Sequence, residues 1–475
     1  MERYGPGGVS RLGRGRTIET RSVVAIRAPV VVAVCLALMT VPAAAAGAPQ
    51  PQPPPTSTRC LKATGLACYR PQQLQRAYDL GPLYANGFNG RGRTIVIVDP
   101  FGSPTIGADL KAFDRAFGLP DPPAFRVLQP VGQVPPFDPR DSEQVVKAGE
   151  TTLDVEWSHA IAPGASILLV ETPVRETVTG GGFPQMMAAE DYVIAHRLGD
   201  VISQSFSLPE QNFARGAIAR LRRTYIRAAR AGITVVGATN DNGVSGPTPS
   251  GAFYDRRVVQ WPATDPLVTA VGGTELQLDA SGRRIHPDVA WNDTWDPFLQ
   301  PLDNDVPPPV PWSSSGGVSR IFGRPSYQDG VRRIVGFRRG VPDVAMSASL
   351  SGAVLTFSTY LGTPAWHQAG GTSEATPEFA GVLAIADQYA ARRFGRSRLG
   401  LINPALYRLE RSRAPGIVDV RRGNNTVAFH SGHGKPITTV TGYSARIGYD
   451  LVTGVGTLDV ARFVPELVRG AASGK

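Results

Sequence analysis

Cysteine, lysine and long apolar runs are scarce in this chain. Its 475 residues hold three cysteines, so disulfide chemistry is limited to a single bond. After residue 47 no apolar run approaches the ~20 residues of a membrane-spanning helix. Charged residues are only 19%, but with 42% hydrophobic residues a sizeable core can form and global disorder is excluded. Of 49 basic residues only Lys62, Lys111, Lys147, Lys435 and Lys475 are lysines. An arginine bias can mark nucleic-acid binding. Here part of the +10 net charge lies in residues 1–30 and the rest forms no basic block, so codon choice explains it and no nucleic-acid partner is expected.

Glycine and proline are plentiful instead, with 53 and 42 residues. They follow no period, which excludes collagen and simple repeats and points to a loop-rich globular protein. Arg11, Arg14, Arg16, Arg21 and Arg27 precede an apolar stretch from Ala28 to Met39, and small residues follow through Ala46. A basic start, a short apolar centre and an Ala-x-Ala cleavage site describe a secretory signal peptide over 1–47. Secretion, with no stable membrane association afterwards, is the expectation. Removal of the leader takes Cys35 with it. Cys60 and Cys68 remain, an even pair suggesting one local disulfide in an exported protein. Residues 48–59 are proline-rich and read as an extended spacer.

From residue 93 the chain alternates apolar strands with helical segments. RTIVIVDP (93–100), ASILLVETP (165–173), VISQSFS (201–207), GITVVGAT (232–239) and LVTAVGGT (267–274) are strands. Helices are predicted from Leu110 to Phe117, Met186 to Arg197 and Ala217 to Ala231, and from Ser373 onward. Strands apolar throughout and separated by helices indicate a mostly parallel sheet covered on both faces. One α/β domain over 60–475 is expected, with residues 275–345 turn-rich. Sites in such sheets form at the carboxyl ends of strands.

Three segments carry possible chemistry. In GGTSEATPEFAG (370–381), Ser373 follows a Gly-Gly turn at a helix start. That suits an N-cap, and with Pro377 four residues on it also resembles a subtilase-type nucleophile. In GETTLDVEWSHAIAPGA (149–165), Glu150 and Asp154 are spaced i, i+4 and open a helix. They suit a solvated acidic face, or a buried pair that shares a proton and acts as base and then acid. In GITVVGATNDNGVSG (232–246), Asp241 ends a strand. It suits an Asx-turn, or a protonated carboxyl donating to an oxyanion. Asp99 occupies the position after the first strand where subtilisins hold an acid. None of the six histidines lies in a His-Gly-x-His setting, so a Ser-His-Asp triad is excluded.

Together with YRPQQLQRAYDLGPLYANGFNGRGRTIVIVD, VGGTELQL, SSGGVSRIFGRPSYQ, RGVPDVAM and GYDLVTGVGTLD, these segments resemble the sedolisin, or serine-carboxyl peptidase, family over roughly Cys60 to Val468. The resemblance implies a subtilisin-like fold, a protein or peptide substrate and a monomer working at acidic pH. It casts Ser373 as nucleophile, Glu150 as general base and acid, Asp154 as the residue behind it and Asp241 as the oxyanion-hole carboxyl. It also implies one structural calcium ion within 415–460. The ligands would be the Asp419 and Asp450 carboxylates and the carbonyls of Val420, Arg446 and Gly448, an oxygen-only set suited to calcium.

Three departures from the family pattern stand out. The expectation is no long N-terminal prodomain, so folding would proceed without one or with a helper acting in trans. Ser207 replaces a more usual glycine, and the turn at Asp241 reads TNDNG. An endopeptidase is the leading reading. A tripeptidyl exopeptidase and a catalytically silent binding protein on the same scaffold are the alternatives.

Overall fold

The apolar runs become the strands of one sheet because Ile, Val and Leu at alternating positions serve both faces at once. The computed structural model describes residues 52–299, 309–431 and 436–472. The leader expected over 1–47 lies outside the described residues.

Strands β1 (Thr94–Pro100), β2 (Phe125–Leu128), β3 (Ser166–Thr172), β4 (Val201–Gln204), β5 (Thr234–Ala238), β6 (Thr269–Glu275), β7 (Val289–Ala290) and β8 (Val344–Ser347) form this sheet. The order is β2-β3-β1-β4-β5-β6, with β8 continuing beside β6 and the short β7 also on β6. Every pairing is parallel except that of β7 with β6. Ile95 and Ile97 of β1 face a core shared with Leu153, Trp157 and Phe379. Their neighbours Val96 and Val98 face the opposite core, with Phe183, Met186 and Tyr225. The first face is covered by helices α1 (Ser142–Ile161) and α4 (Thr372–Phe394), which pack on each other, and the second by α2 (Phe183–Ala195) and α3 (Arg223–Ala231). This is the expected α/β subtilisin-like arrangement in a single domain, a mostly parallel central sheet flanked by helices.

Several boundaries differ from the sequence reading. The first predicted helix starts at Ile106, four residues early, and α2 starts at Phe183. The helix expected over 217–231 is two helices that meet at Arg222. Residues 275–345 are turn-rich but also contain a hairpin of Gly317–Gly323 with Arg338–Val341. At the N-terminus, Cys60 and Cys68 form the expected disulfide, with Cα atoms 5.8 Å apart. The end of the proline-rich segment is held in place. Arg70 donates to the carbonyls of Pro54 and Pro55, Trp366 donates to the Gln52 carbonyl, and a helix begins at Ser57.

Candidate active site

Glu150 and Asp154 do not open their helix; they lie in the interior of α1. The helix starts eight residues earlier, where the Asp141 carboxylate caps the N–H groups of Glu143 and Gln144. Both carboxyls are buried, which overturns the reading of a solvated acidic face. Ser205 donates to Asp154 Oδ1 at 2.9 Å, and Asp154 Oδ2 has no partner among the described residues. Among the described residues neither Glu150 oxygen has a partner in hydrogen-bond geometry, although the Ser373 hydroxyl is near enough to pull its pKa down. Burial pushes Glu150 up to about 8; Lys147, one helical turn away, opposes this, while Asp99 and Asp241 reinforce it. Asp154 is driven well above the carboxylate range by burial and then by Asp99 and Glu150.

Asp99 is thus part of the site, although the sequence reading assigned it no role. It is the penultimate residue of β1, accepts from Thr151 Oγ1 at 2.9 Å and is raised to about 6 by burial. Lys147 and Glu176 were also missed. Their side chains are 6% and 2% exposed and pair at 2.6 Å, leaving Glu176 Oε1 without a partner among the described residues. The i, i+3 spacing of Lys147 and Glu150 was the available signal.

Ser373 is brought up to these carboxyls at the start of α4. The cap residue is Gly371, and Ser373 occupies the second helical position, so the N-cap reading fails. Gly371 has φ +97°, and a Cβ there would sit 2.7 Å from Asp241 Oδ2. Only glycine meets both demands at this position.

Next along, Thr372 donates to Asp241 Oδ1 through its N–H at 2.7 Å and its hydroxyl at 2.8 Å. The same hydroxyl accepts from the Asn240 N–H at 3.1 Å. Asp241 is not the Asx-turn residue: Asn240, at φ 86°, takes that role by accepting from the Asn242 N–H. Burial raises Asp241 to about 6 against the two Thr372 donors. Since Oδ1 already accepts two hydrogen bonds, the free Oδ2 is the oxygen left to carry a proton.

A second carboxyl pair lies on α4 itself. Glu374 and Glu378 are fully buried, and among the described residues none of their four oxygens has a partner in hydrogen-bond geometry. Burial drives both well above the carboxylate range. The Ser347 hydroxyl pulls Glu374 down, Glu374 repels Glu378, and no basic group offsets either.

The ligands expected for calcium also converge. Asp419 Oδ1 accepts from the Gly448 N–H at 3.1 Å, and Asp450 Oδ2 from the Arg446 N–H at 2.9 Å, so two carboxylates bracket the 446–450 loop. Among the described residues the carbonyls of Val420, Arg446 and Gly448 accept no hydrogen bond. The set is oxygen-only and fits a hard cation. Arg421, which donates to Asp419 at 2.7 Å, is its competitor.

Residues 146–434 match the subtilase family model. Kumamolisin of Bacillus sp. (strain MN-32) is 29% identical over 415 residues, covering 85% of this chain and 64% of that protein. Human tripeptidyl-peptidase 1 is 28% identical over 369 residues, covering 74% and 56%. The chain therefore spans less than two thirds of the length of these curated relatives. A solved structure, Pseudomonas sedolisin (serine-carboxyl proteinase) complexed with two molecules of pseudo-iodotyrostatin, superposes with a TM-score of 0.67 at 26% identity. It covers 86% of this chain and 99% of that one.

Proposed function

The chain belongs to the subtilase family, in its sedolisin group, and from that premise we propose that it is a serine-carboxyl endopeptidase hydrolysing peptide bonds at acidic pH. The observation that carries the reading is the meeting of Ser373 with a buried Glu150 on one side and, through Thr372, with Asp241 on the other.

Ser373 Oγ attacks the peptide carbonyl carbon while Glu150 takes the hydroxyl proton. Glu150, Asp154 and Asp99 repel one another, so they ionise in steps, not together. The first charge is the easiest to form because Lys147 faces it, and that singly charged cluster serves as the base. The developing oxyanion accepts from the Asp241 proton on Oδ2, a contribution of ~3–4 kcal/mol for donors of this kind. Glu150 then returns its proton to the leaving amine, and water releases the acyl group from Ser373 by the reverse steps. Asp241 donates only while protonated, so the rate falls as pH rises through about 6.

Digestion of casein by the protein and by Ser373→Ala, from pH 3 to 7, tests this. The variant loses about 10⁶-fold in kcat. Equal activity in both proteins removes Ser373 from the reaction, and a rate flat from pH 4 to 7 removes the protonated Asp241. Release of N-terminal tripeptides only, from a defined peptide, would replace the endopeptidase reading with the tripeptidyl one carried by human tripeptidyl-peptidase 1. Secretion and a monomeric state complete the proposal; the basic leader and the Cys60–Cys68 bond support export.

The residues that would hold a calcium ion are Asp419, Val420, Arg446, Gly448 and Asp450. When bound, the ion supplies charge neutralisation between the two carboxylates and takes no part in peptide cleavage. Chelation lowers Tm by several degrees in the native protein and leaves Asp450→Ala unchanged. Equal Tm with and without chelator in the native protein refutes the site.

A further inference from the structure

Arginines outside the catalytic centre line a cavity of about 490 Å³ bounded by Arg257, Arg320, Arg338, Val259, Gly317 and Tyr443. That volume is in the range of small-ligand sites. The three arginines come from separate segments, and none of them has a carboxylate partner among the described residues. Arg257 is held in place. It donates to the carbonyls of Thr441 and Gly442 at 2.7 and 3.1 Å and stacks over the Tyr443 ring, 4.4 Å from its centroid. Arg338 donates to the Arg320 carbonyl at 3.1 Å, which ties the two sides of the hairpin together at the rim.

The floor is kept open by glycine. Gly317 has φ +147°, and a Cβ there would meet Val259 at 2.9 Å and Tyr443 at 3.3 Å. Glu210, beside Ser319 and Arg320 of the wall, is already engaged by the Ser319 hydroxyl and the Arg320 N–H. Three like charges around one cavity repel one another and are paired with no carboxylate among the described residues.

The cavity is joined directly to the catalytic centre. Ser313 and Ser315 donate their N–H groups to the carbonyls of Asp241 and Asn240 at 2.8 and 2.9 Å, and the chain then enters the cavity wall at Gly316 and Gly317. A ligand seated here therefore lies on the chain segment that continues directly from the residues bracing the oxyanion loop.

We propose that this cavity is a subsite for a carboxylate of the peptide substrate, an Asp or Glu side chain or the free C-terminus, held by Arg257, Arg320 and Arg338. The proposal rests on the peptidase reading. Guanidinium groups suit it, because they stay charged at every pH and pair with carboxylates through two parallel N–H bonds. Peptide carboxylates ionise near pH 3.3–4.3, so they remain anionic at pH 5, below the pH at which Asp241 loses its proton.

The test separates binding from catalysis. Peptides identical except for Glu or Gln, moved one position at a time on each side of the cleaved bond, are titrated at pH 5 into the intact Ser373→Ala protein by calorimetry. Glu at one position binds about tenfold more tightly than Gln. The preference disappears in Ser373→Ala carrying Arg257→Gln and Arg338→Gln, substitutions of exposed side chains. Sodium sulfate, the inorganic probe, erases the preference without weakening the Gln peptide. Equal binding of Glu and Gln peptides at every position overturns the subsite. So does a preference that survives both arginine substitutions. If Ser373→Ala still cleaves casein while the Glu preference persists, the nucleophile assignment fails and the subsite stands.

Discussion

Two carboxyl pairs lie one helical turn apart on neighbouring helices, Glu150 with Asp154 on α1 and Glu374 with Glu378 on α4. Both are buried, both share the i, i+4 spacing, and burial is the largest cause of the raised pKa in all four groups. They differ in what surrounds them. The α1 pair has a cation in Lys147, hydroxyls in Ser373, Ser205 and Thr151, and a third carboxyl in Asp99. The α4 pair has the Ser347 hydroxyl and no basic group. Burial alone makes a carboxyl neutral. A facing cation lets one member of a cluster ionise without unfolding its surroundings, and that separates a base from an inert acid.

The comparison breaks most visibly at Glu150. Glu150→Gln keeps the shape and removes the proton acceptor, and kcat falls by about 10²–10⁴-fold. Steady-state kinetics at pH 4–5 measure this; a kcat within threefold of the native value would place the base elsewhere.

A smaller effect follows from making the α1 pair resemble the α4 pair. Lys147→Met alone would strand Glu176 as an unpaired buried acid, which is strongly destabilising, so Glu176→Gln accompanies it. Without the cation the Glu150 cluster ionises at higher pH, and the acid limb of the rate profile moves up by about one unit or more. At pH 4 this appears as roughly a tenfold loss in kcat/KM. An unmoved acid limb would remove Lys147 from the site.

The smallest effect sharpens the other half of the comparison. The α4 carboxyls have folded pKa values above their unfolded ones, so their stability contribution is complete below about pH 4.3 and is lost as pH rises toward the folded values. Glu374→Gln with Glu378→Gln therefore leaves Tm at pH 4 nearly unchanged and raises it at pH 7. The rise is at least about 2–4 °C, the shift that 1 kcal/mol produces in a large domain. A Tm gain of equal size at pH 4 and pH 7 would show that the fold does not raise the pKa of the two acids.

Much of this was legible in the sequence. The strands at 94–100, 166–172 and 269–275 were found because each is apolar on both faces, a pattern local to the segment. Ser373, Glu150, Asp154 and Asp241 were singled out from their motifs, and the structure brings these four together. The start of α1 at Ser142 was missed because its signal, the Asp141 cap, follows a proline-rich stretch. Asp99 was set aside because it is 51 residues from Glu150 in sequence, and its bond to Thr151 exists only once β1 lies beside α1. Glu374 and Glu378 fit a polar helix face equally well in sequence. Only the packing of α4 against the sheet and α1 excludes water from them.

Thr372 binds Asn240 and Asp241 while being covalently next to Ser373. The first turn of α4 and the 238–242 loop should therefore open to solvent as one cooperative unit. In hydrogen exchange, the amide protons of Asn240 and Thr372, more than 130 positions apart, would then exchange at a common rate. Any thermal excursion that displaces the nucleophile carries the oxyanion donor with it, so the spacing between the two survives motions that reshape the rest of the cleft.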